Sequence, residues 1–596
     1  MPHAQAVPSA GFQALILCGP GVSLNTFTSS PDEFPKALVP IANRPMVWYP
    51  LEWCYRLGIT NIRLITPPSS AAALETAFSQ NPHLTSLPLP KPDIIAPRDL
   101  TQTTGTAEIL RLPEVQKEIV GDFLLLPCDL VCEIGGEAFL ELWMIQQAGL
   151  GGASGVPSEM SLHKMSIGGE KGGRRGGLGV WYQTKGDGGV KGEETDFVAT
   201  SPLPAPVVSI PPGSHRQNLS HLVYSIPTDT LKDITEEKKS FPVRHSLLRK
   251  HANVKMLTTH RDAHIYFFPY WILDMVKRNE KMDSIAEDVV GWWAKAGWQD
   301  GLGEKLGLRD VFDSTEEQDA DENNMGNSTF IEEDIDVGSM SSTWTSQLGG
   351  GISDHNSSSK PSSHYASRVQ DPRSTLHPLS ASASQQPKSK LLIPPMLAYT
   401  HSQPPSTTLL HRVDTAALLL TVSLRLAKLD SLDDLGPGNR TLASPFAHAS
   451  KVAYPPGLAS RCTVTRGDCL IAENVTVEER AVIKESVIGA NCKVEAGARL
   501  TRCLLMDGTV VGEKCKLDGC ILGRRSRIGK ESVLRDCEVQ EGNVIPDETD
   551  AKNEKFMIFE GLDDESAEGG DAFDLSGGNG DGEDDEVLDV HDIIAN

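Results

Sequence analysis

The sequence predicts two folded parts, a Rossmann-like α/β domain followed by a parallel β-helix, and three observations carry that prediction. From Ile471 to Val539 bulky aliphatic residues recur at steps of six, six and five, so one full cycle takes 17 residues. Upstream, short apolar runs at 12–18, 62–65 and 123–126 alternate with stretches long enough for helices. Between the two parts lies a stretch that is acidic, then rich in Ser, Gln, Gly and Pro, with too little apolar surface to order itself.

Taken in order, the chain opens with a short tail, 1–10. Residues 12–18 read as a buried first strand entering a loop at Gly19-Pro20-Gly21. A helix is expected over 46–57, before the second strand at 62–65. The third strand, 123–126, ends in Pro127-Cys128-Asp129. Strands alternating with helices predict a parallel sheet covered on both faces.

A Gly-rich insertion, 149–192, carries Lys171, Arg174, Arg175, Lys185 and Lys191 and reads as an expanded loop around a strand at 178–182. RNA contact by its Gly-Gly-Arg-Arg-Gly-Gly segment is the alternative. In the run Arg261-Asp262-Ala263-His264-Ile265-Tyr266-Phe267-Phe268, His264 reads as a strand histidine among apolar neighbours rather than a general base. Trp292, Trp293 and Trp298 close the domain, which spans 11–310. A disordered linker is expected over 311–390 and a helical connector over 391–455, with Leu418, Leu419, Val422, Leu426 and Leu429 at helical spacing.

The repeat comes next, at 456–545. Two positions before each aliphatic residue stands a smaller one, among them Cys469, Val475, Ala481, Ser486, Cys492 and Ala498. Residues two apart on a strand share a face, so both sets point inward. Steps of six and five cannot keep one face of an α-helix apolar. Gly489, Gly512, Gly523 and Gly529 follow aliphatic positions, where corners ask for backbone freedom. The repeat is expected to decay from Glu541 into an acidic tail, 546–596.

The net charge of −25 is local: residues 313–336 hold ten acidic side chains and 556–596 hold fourteen, neither with Lys or Arg. The remainder is nearly neutral, which argues against a DNA-binding surface. Seven of the eleven cysteines, counting Cys462, occupy inward positions of the repeat and read as small hydrophobes. No C-x-x-C occurs, so no zinc site is expected. A leaderless start and the lack of a long apolar run predict a soluble, intracellular protein with no membrane contact, and leave nucleus or cytosol open.

Several segments carry a family resemblance. Leu17-Cys18-Gly19-Pro20-Gly21-Val22-Ser23-Leu24, Pro35-Lys36-Ala37-Leu38-Val39-Pro40, Asn43-Arg44-Pro45-Met46, Gly105-Thr106-Ala107-Glu108 and Leu124-Leu125-Leu126-Pro127-Cys128-Asp129 resemble, in the same order, the signature of sugar-nucleotide pyrophosphorylases. The 17-residue cycle resembles the hexapeptide repeat of left-handed β-helices, and the hand comes from that resemblance alone. Asp262-Ala263-His264-Ile265-Tyr266 draws the chain closer to the nucleotidyltransferase-like subunits of translation initiation factor 2B, and the lack of a helical-repeat domain after the coil to their gamma type.

The resemblance implies a nucleotide site at Gly19, Gly21, Lys36 and Asp129, with Lys36 against phosphate and Asp129 on the metal. The pyrophosphorylases carry an Arg where this chain has Ser23, and a hydroxyl cannot replace a guanidinium on phosphate. With no Glu-Lys-Pro sugar-binding segment either, the site reads as vestigial: no catalytic residue, no metal and no cofactor is expected. The resemblance then implies a non-catalytic subunit of a guanine-nucleotide exchange factor. Its partners would be the epsilon subunit directly, the alpha, beta and delta subunits, and initiation factor 2. The alternative is an active pyrophosphorylase of the GDP-mannose type. A hexapeptide acyltransferase needs a histidine base, and none occurs between His448 and His591.

Overall fold

The computed structural model describes residues 12–19, 23–147, 175–204, 214–241, 243–312, 391–404, 406–435 and 443–558. All but Met557 and Ile558 belong to one compact unit. Its N-terminal part is built from β1 (Gln13–Leu17), α1 (Trp48–Arg56), β2 (Asn61–Ile65), α2 (Pro68–Gln80), β3 (Asp93–Ile95), β4 (Phe123–Pro127), β5 (Leu130–Cys132) and α3 (Gly136–Gln147). There follow β6 (Gly177–Gln183), β7 (Asp196–Pro202), β8 (Leu219–Pro227), β9 (Lys255–Phe268), α4 (Trp271–Arg278), β10 (Met396–His401), β11 (Leu410–Arg412) and α5 (Ala416–Lys428).

A nine-stranded sheet has the order β3-β2-β1-β4-β9-β6-β10-β8-β7. The first four strands are parallel, with Gln13 opposite both Asn61 and Phe123. Alternate residues of β1 and β4 enter two separate cores: Ala14, Ile16, Leu124 and Leu126 one, Leu15, Phe123 and Leu125 the other. These strands are therefore buried on both faces, which is why they read as unbroken apolar runs. The rest of the sheet is mixed rather than parallel, because β9 returns antiparallel to β4 and β7 and β8 form an antiparallel pair.

Residues 396–401, expected within a helical connector, instead form β10, a strand inside this sheet that pairs with β6 and β8. The stretch 313–390 thus interrupts the N-terminal sheet domain rather than following it. The connector helix does form as α5, its N-terminus capped by the Thr415 side chain on Leu418 N at 3.3 Å.

The repeat folds into three parallel sheets whose strands pair at intervals of one 17-residue cycle, Ile488 with Leu505 and Leu505 with Leu522. Every small and large inward residue from Cys469 to Val539 is at most 3% exposed. Pairing runs past the expected end at 545. Ile545, Ala551 and Phe556 continue the six-six-five count, and Lys555–Phe556 is the last strand. The decay expected from Glu541 is therefore corrected: the polar residues there face outward while the inward positions persist. At the other end Val452 and Leu458 bridge to Ile471 and Val477, so the coil also begins before 456.

The corner glycines serve a different need from the one expected. A Cβ on Gly489 would lie 2.6 Å from Asp507 Oδ1 and 2.8 Å from Asp507 N, so the position needs room for the next coil. The left-handed conformations fall a little further on, at residues such as Asn474, Asn491 and Lys514.

One side of the coil is covered by the N-terminal part. Leu470, Val487, Leu504 and Ile521 each precede an inward residue and point outward into the main core, where α5 lies against them. The equivalent positions on the other two sides are Thr476, Lys493, Val510, Arg527 and Val482, Arg499, Lys516, Val533. Among the described residues only the apolar column is buried against another element, as hydrophobic burial requires.

Candidate functional site

Parallel β1 and β4 end at the same level, so Cys18 and Cys128 lie side by side, with Cys128 N donating to Leu17 O at 3.0 Å. In open α/β sheets this carboxyl edge is where ligands bind. Gly19 leaves the edge, and a Cβ there would meet no heavy atom within 4 Å. Gly21 lies outside the described residues. Lys36 starts a short helical turn, Lys36–Leu38, after Pro35, and its Nζ reaches Asp129 Oδ2 at 2.8 Å. Two of the four sequence-predicted residues, Lys36 and Asp129, are thus brought together, against each other.

The other oxygen of Asp129 is also taken. Arg412 Nε lies 3.4 Å from Asp129 Oδ1, and Val413 N donates to Asp129 O at 2.8 Å. The hydrogen bonds between β5 and β11, with Arg412 opposite Leu130, set this placement. Burial alone would raise the Asp129 pKa, but the charges of Lys36 and Arg412 outweigh it and hold the carboxyl well below its ordinary range. Lys36 is correspondingly raised, the Asp129 charge overcoming the effect of burial.

Behind Arg412 the charged cluster continues. Arg261 Nη1 lies 3.2 Å from Asp414 Oδ1 and 3.7 Å from Glu193 Oε1. The register of β9 slips between Asp262 and Tyr266, and His264 takes the left-handed conformation, φ +53°. The slip gathers the Asp-Ala-His-x-Tyr residues around one carboxylate. Asp262 accepts from His264 N at 2.9 Å and from the Tyr266 hydroxyl, while Asp262 N donates to Asp196 Oδ2 at 2.6 Å.

Asp262 is pushed up to about 7, first by burial and then by the Asp196 charge. His264 is pushed well below its ordinary value, first by burial and then by Arg412, and stays neutral. The reading of His264 among apolar neighbours is therefore corrected: its ring lies 3.6 Å from Asp262 Oδ2, in a charged setting. A cleft of about 170 Å³ opens beside these groups, lined in part by Arg261, Asp262, His264, Arg412, Asp196 and Glu287.

The resembled nucleotidyltransferases place Mg²⁺ on the carboxylate that Asp129 matches. Here both oxygens of that carboxylate face cations, and among the described residues no group of three or more His, Cys, Asp or Glu is placed to hold a metal. The residues do not fit the ion. Arg175, one of the candidate RNA-contacting side chains, is buried and ion-paired with Asp122.

Another motif acts at the joint between the two parts. Asn43 Nδ2 donates to Ile488 O at 3.0 Å, and Arg44 donates to Phe446 O and Ala447 O at 2.8 and 2.9 Å while stacking 4.3 Å over Trp48. Sequence reasoning missed Arg412 and Asp414, which had been assigned to a connector. It also missed the outward column Leu470, Val487, Leu504 and Ile521, although that column shows the same 17-residue interval.

Two comparisons with known proteins bear on this arrangement. Residues 455–552 match the family model described as the EIF2B subunit epsilon LbH domain. Over 295 residues the chain is 26% identical to translation initiation factor eIF2B subunit gamma of Schizosaccharomyces pombe. In these stretches the chain is similar to subunits of eIF2B. The alignment spans 50% of this chain and 53% of that relative, about half the length of each. The three parallel sheets agree with the left-handed β-helix of the matched eIF2B domain. Among the described residues no helix is long and apolar enough to cross a membrane.

Proposed function

We propose that the chain is a gamma-type, non-catalytic subunit of the eIF2B guanine-nucleotide exchange complex, acting in translation initiation in the cytosol. The observation that carries the non-catalytic reading is Asp129 held between Lys36 at 2.8 Å and Arg412 at 3.4 Å. A carboxylate neutralised twice by the protein's own cations has little to offer a metal-bound triphosphate. Ser23 in place of the phosphate-binding Arg supports the same reading. The gamma assignment draws on the S. pombe relative.

In this reading the N-terminal part keeps a Rossmann-like, nucleotidyltransferase-like fold as a scaffold, with Gly19, Gly21, Lys36 and Asp129 as remnants of a nucleotide site. The chain pairs with the epsilon subunit, assembles with the alpha, beta and delta subunits, and contributes to holding initiation factor 2 while epsilon catalyses exchange. The coil suits that role, since one side is sealed against the N-terminal part and, among the described residues, two remain uncovered.

The test is to incubate the purified chain with Mg²⁺, a sugar 1-phosphate and a nucleoside triphosphate. No nucleotide sugar is expected. Turnover at about 1 s⁻¹ or faster would overturn the reading in favour of an active pyrophosphorylase.

A further inference from the structure

The coil carries an unneutralised cationic ladder on one open side. Arg499 and Lys516 are register partners on adjacent strands, both exposed, so two like charges stand directly opposite each other. Such a pair destabilises a sheet. Lys484 and Arg535 lie in the neighbouring outward column, also exposed, with Thr501 and Asp518, itself paired with Arg502, between them. Among the described residues none of the side chains of Arg499, Lys516, Lys484 and Arg535 makes an ion pair or hydrogen bond.

Elsewhere on the coil several cations are matched, though among the described residues Arg480, Arg525 and Arg527 are not. Lys493 meets Glu495 at 3.0 Å, Lys514 meets Glu531 at 2.6 Å and Arg502 meets Asp518 at 3.0 Å. The chain as a whole carries −25. What sets Arg499 and Lys516 apart is that they are like charges stacked in register without a counter-ion, which works against the fold rather than for it.

We propose that this side of the coil docks a carboxylate-rich polypeptide segment of a partner chain. Charge complementarity names the chemistry, and the ladder's own order sharpens it. Half-buried Val482 and Val533 flank Arg499 and Lys516, so the rungs read apolar, cationic, cationic, apolar over about 14 Å, the reach of roughly five extended residues. An acidic segment with apolar ends matches that order. Nucleic acid matches it less well, since no aromatic side chain stands among the outward residues for base stacking. The inference is independent of whether the chain is an eIF2B subunit.

The test uses the full chain and a fluorescein-labelled peptide, Leu-Glu-Glu-Glu-Glu-Leu, followed by anisotropy. Controls are the same peptide with Gln for Glu and a labelled single-stranded RNA of equal length. Saturable binding of the Glu peptide alone is expected, weakened about tenfold or more between about 0.1 and 0.5 M salt. Arg499→Gln/Lys516→Gln should weaken it about tenfold or more, while Arg525→Gln/Arg527→Gln, elsewhere on the coil surface, should not. No binding, equal binding by the first double variant, or tighter binding of the RNA would overturn the proposal. The unfolding midpoint of that variant should stay at or above the parent's. A lower midpoint would mean that the ladder serves the fold, and overturns the proposal as well.

Discussion

Arg412 and Asp129 meet at 3.4 Å although 283 residues separate them in the chain. The contact ties β11 to the end of β4 and closes the edge of the sheet on its own charges. Arg412→Ala should leave Asp129 with Lys36 alone and destabilise the fold by about 3 kcal/mol, the cost of breaking a mostly buried pair. Urea unfolding of the two proteins checks this, and a shift below about 0.5 kcal/mol would show that the pair is dispensable.

The same carboxylate sets the acid limb of stability. Asp129 is held below its unfolded pKa of about 3.9, so its contribution is present above that pH and is lost as pH falls through the lower folded value. Asp129→Asn should therefore lose stability at pH 7 and converge toward the parent as pH falls below about 4.

Asp262 behaves in the opposite sense. Its folded pKa of about 7 lies above the unfolded value, so the folded state binds the extra proton and stability falls as pH rises from about 4 to 7. Asp196, Arg261, His264, Tyr266 and Arg412 are among the charged or titratable groups that face it. Asp262→Asn should flatten that slope and unfold later than the parent at pH 8, by up to a few kcal/mol. An unchanged slope would show that Asp262 ionises normally.

The buried outward column makes a sharp contrast with its neighbours. Leu504→Ala, at the joint with α5, should cost about 2–4 kcal/mol, while Val510→Ala on an open side should cost less than about 1. Equal effects would mean that the joint contributes little to stability.

Because β10 is an inner strand of the N-terminal sheet, a protease site engineered into 313–390 should yield two fragments that copurify. Fragments that separate on a sizing column without denaturant would contradict the placement of Met396–His401.

The coil was legible in the sequence because its packing is periodic: each inward residue meets its own equivalent one cycle away, so geometry repeats as composition. The same arithmetic also contained Leu470, Val487, Leu504 and Ile521, legible once outward positions are followed as closely as inward ones. The charged cluster was not legible. Arg412 and Asp414 reach it only through a strand pairing that jumps the acidic stretch, and His264 is turned toward Asp262 by a register slip that leaves no mark in local hydropathy. Lys36 and Asp129 were visible as a pair, but not that they neutralise each other.

Membership of the exchange complex is tested most directly by affinity purification of the tagged full chain from its native cells, with mass spectrometry of what is bound. Stoichiometric recovery of the eIF2B epsilon subunit, with the alpha, beta and delta subunits, is the predicted result. Recovery of the chain alone or as a homo-oligomer would contradict it.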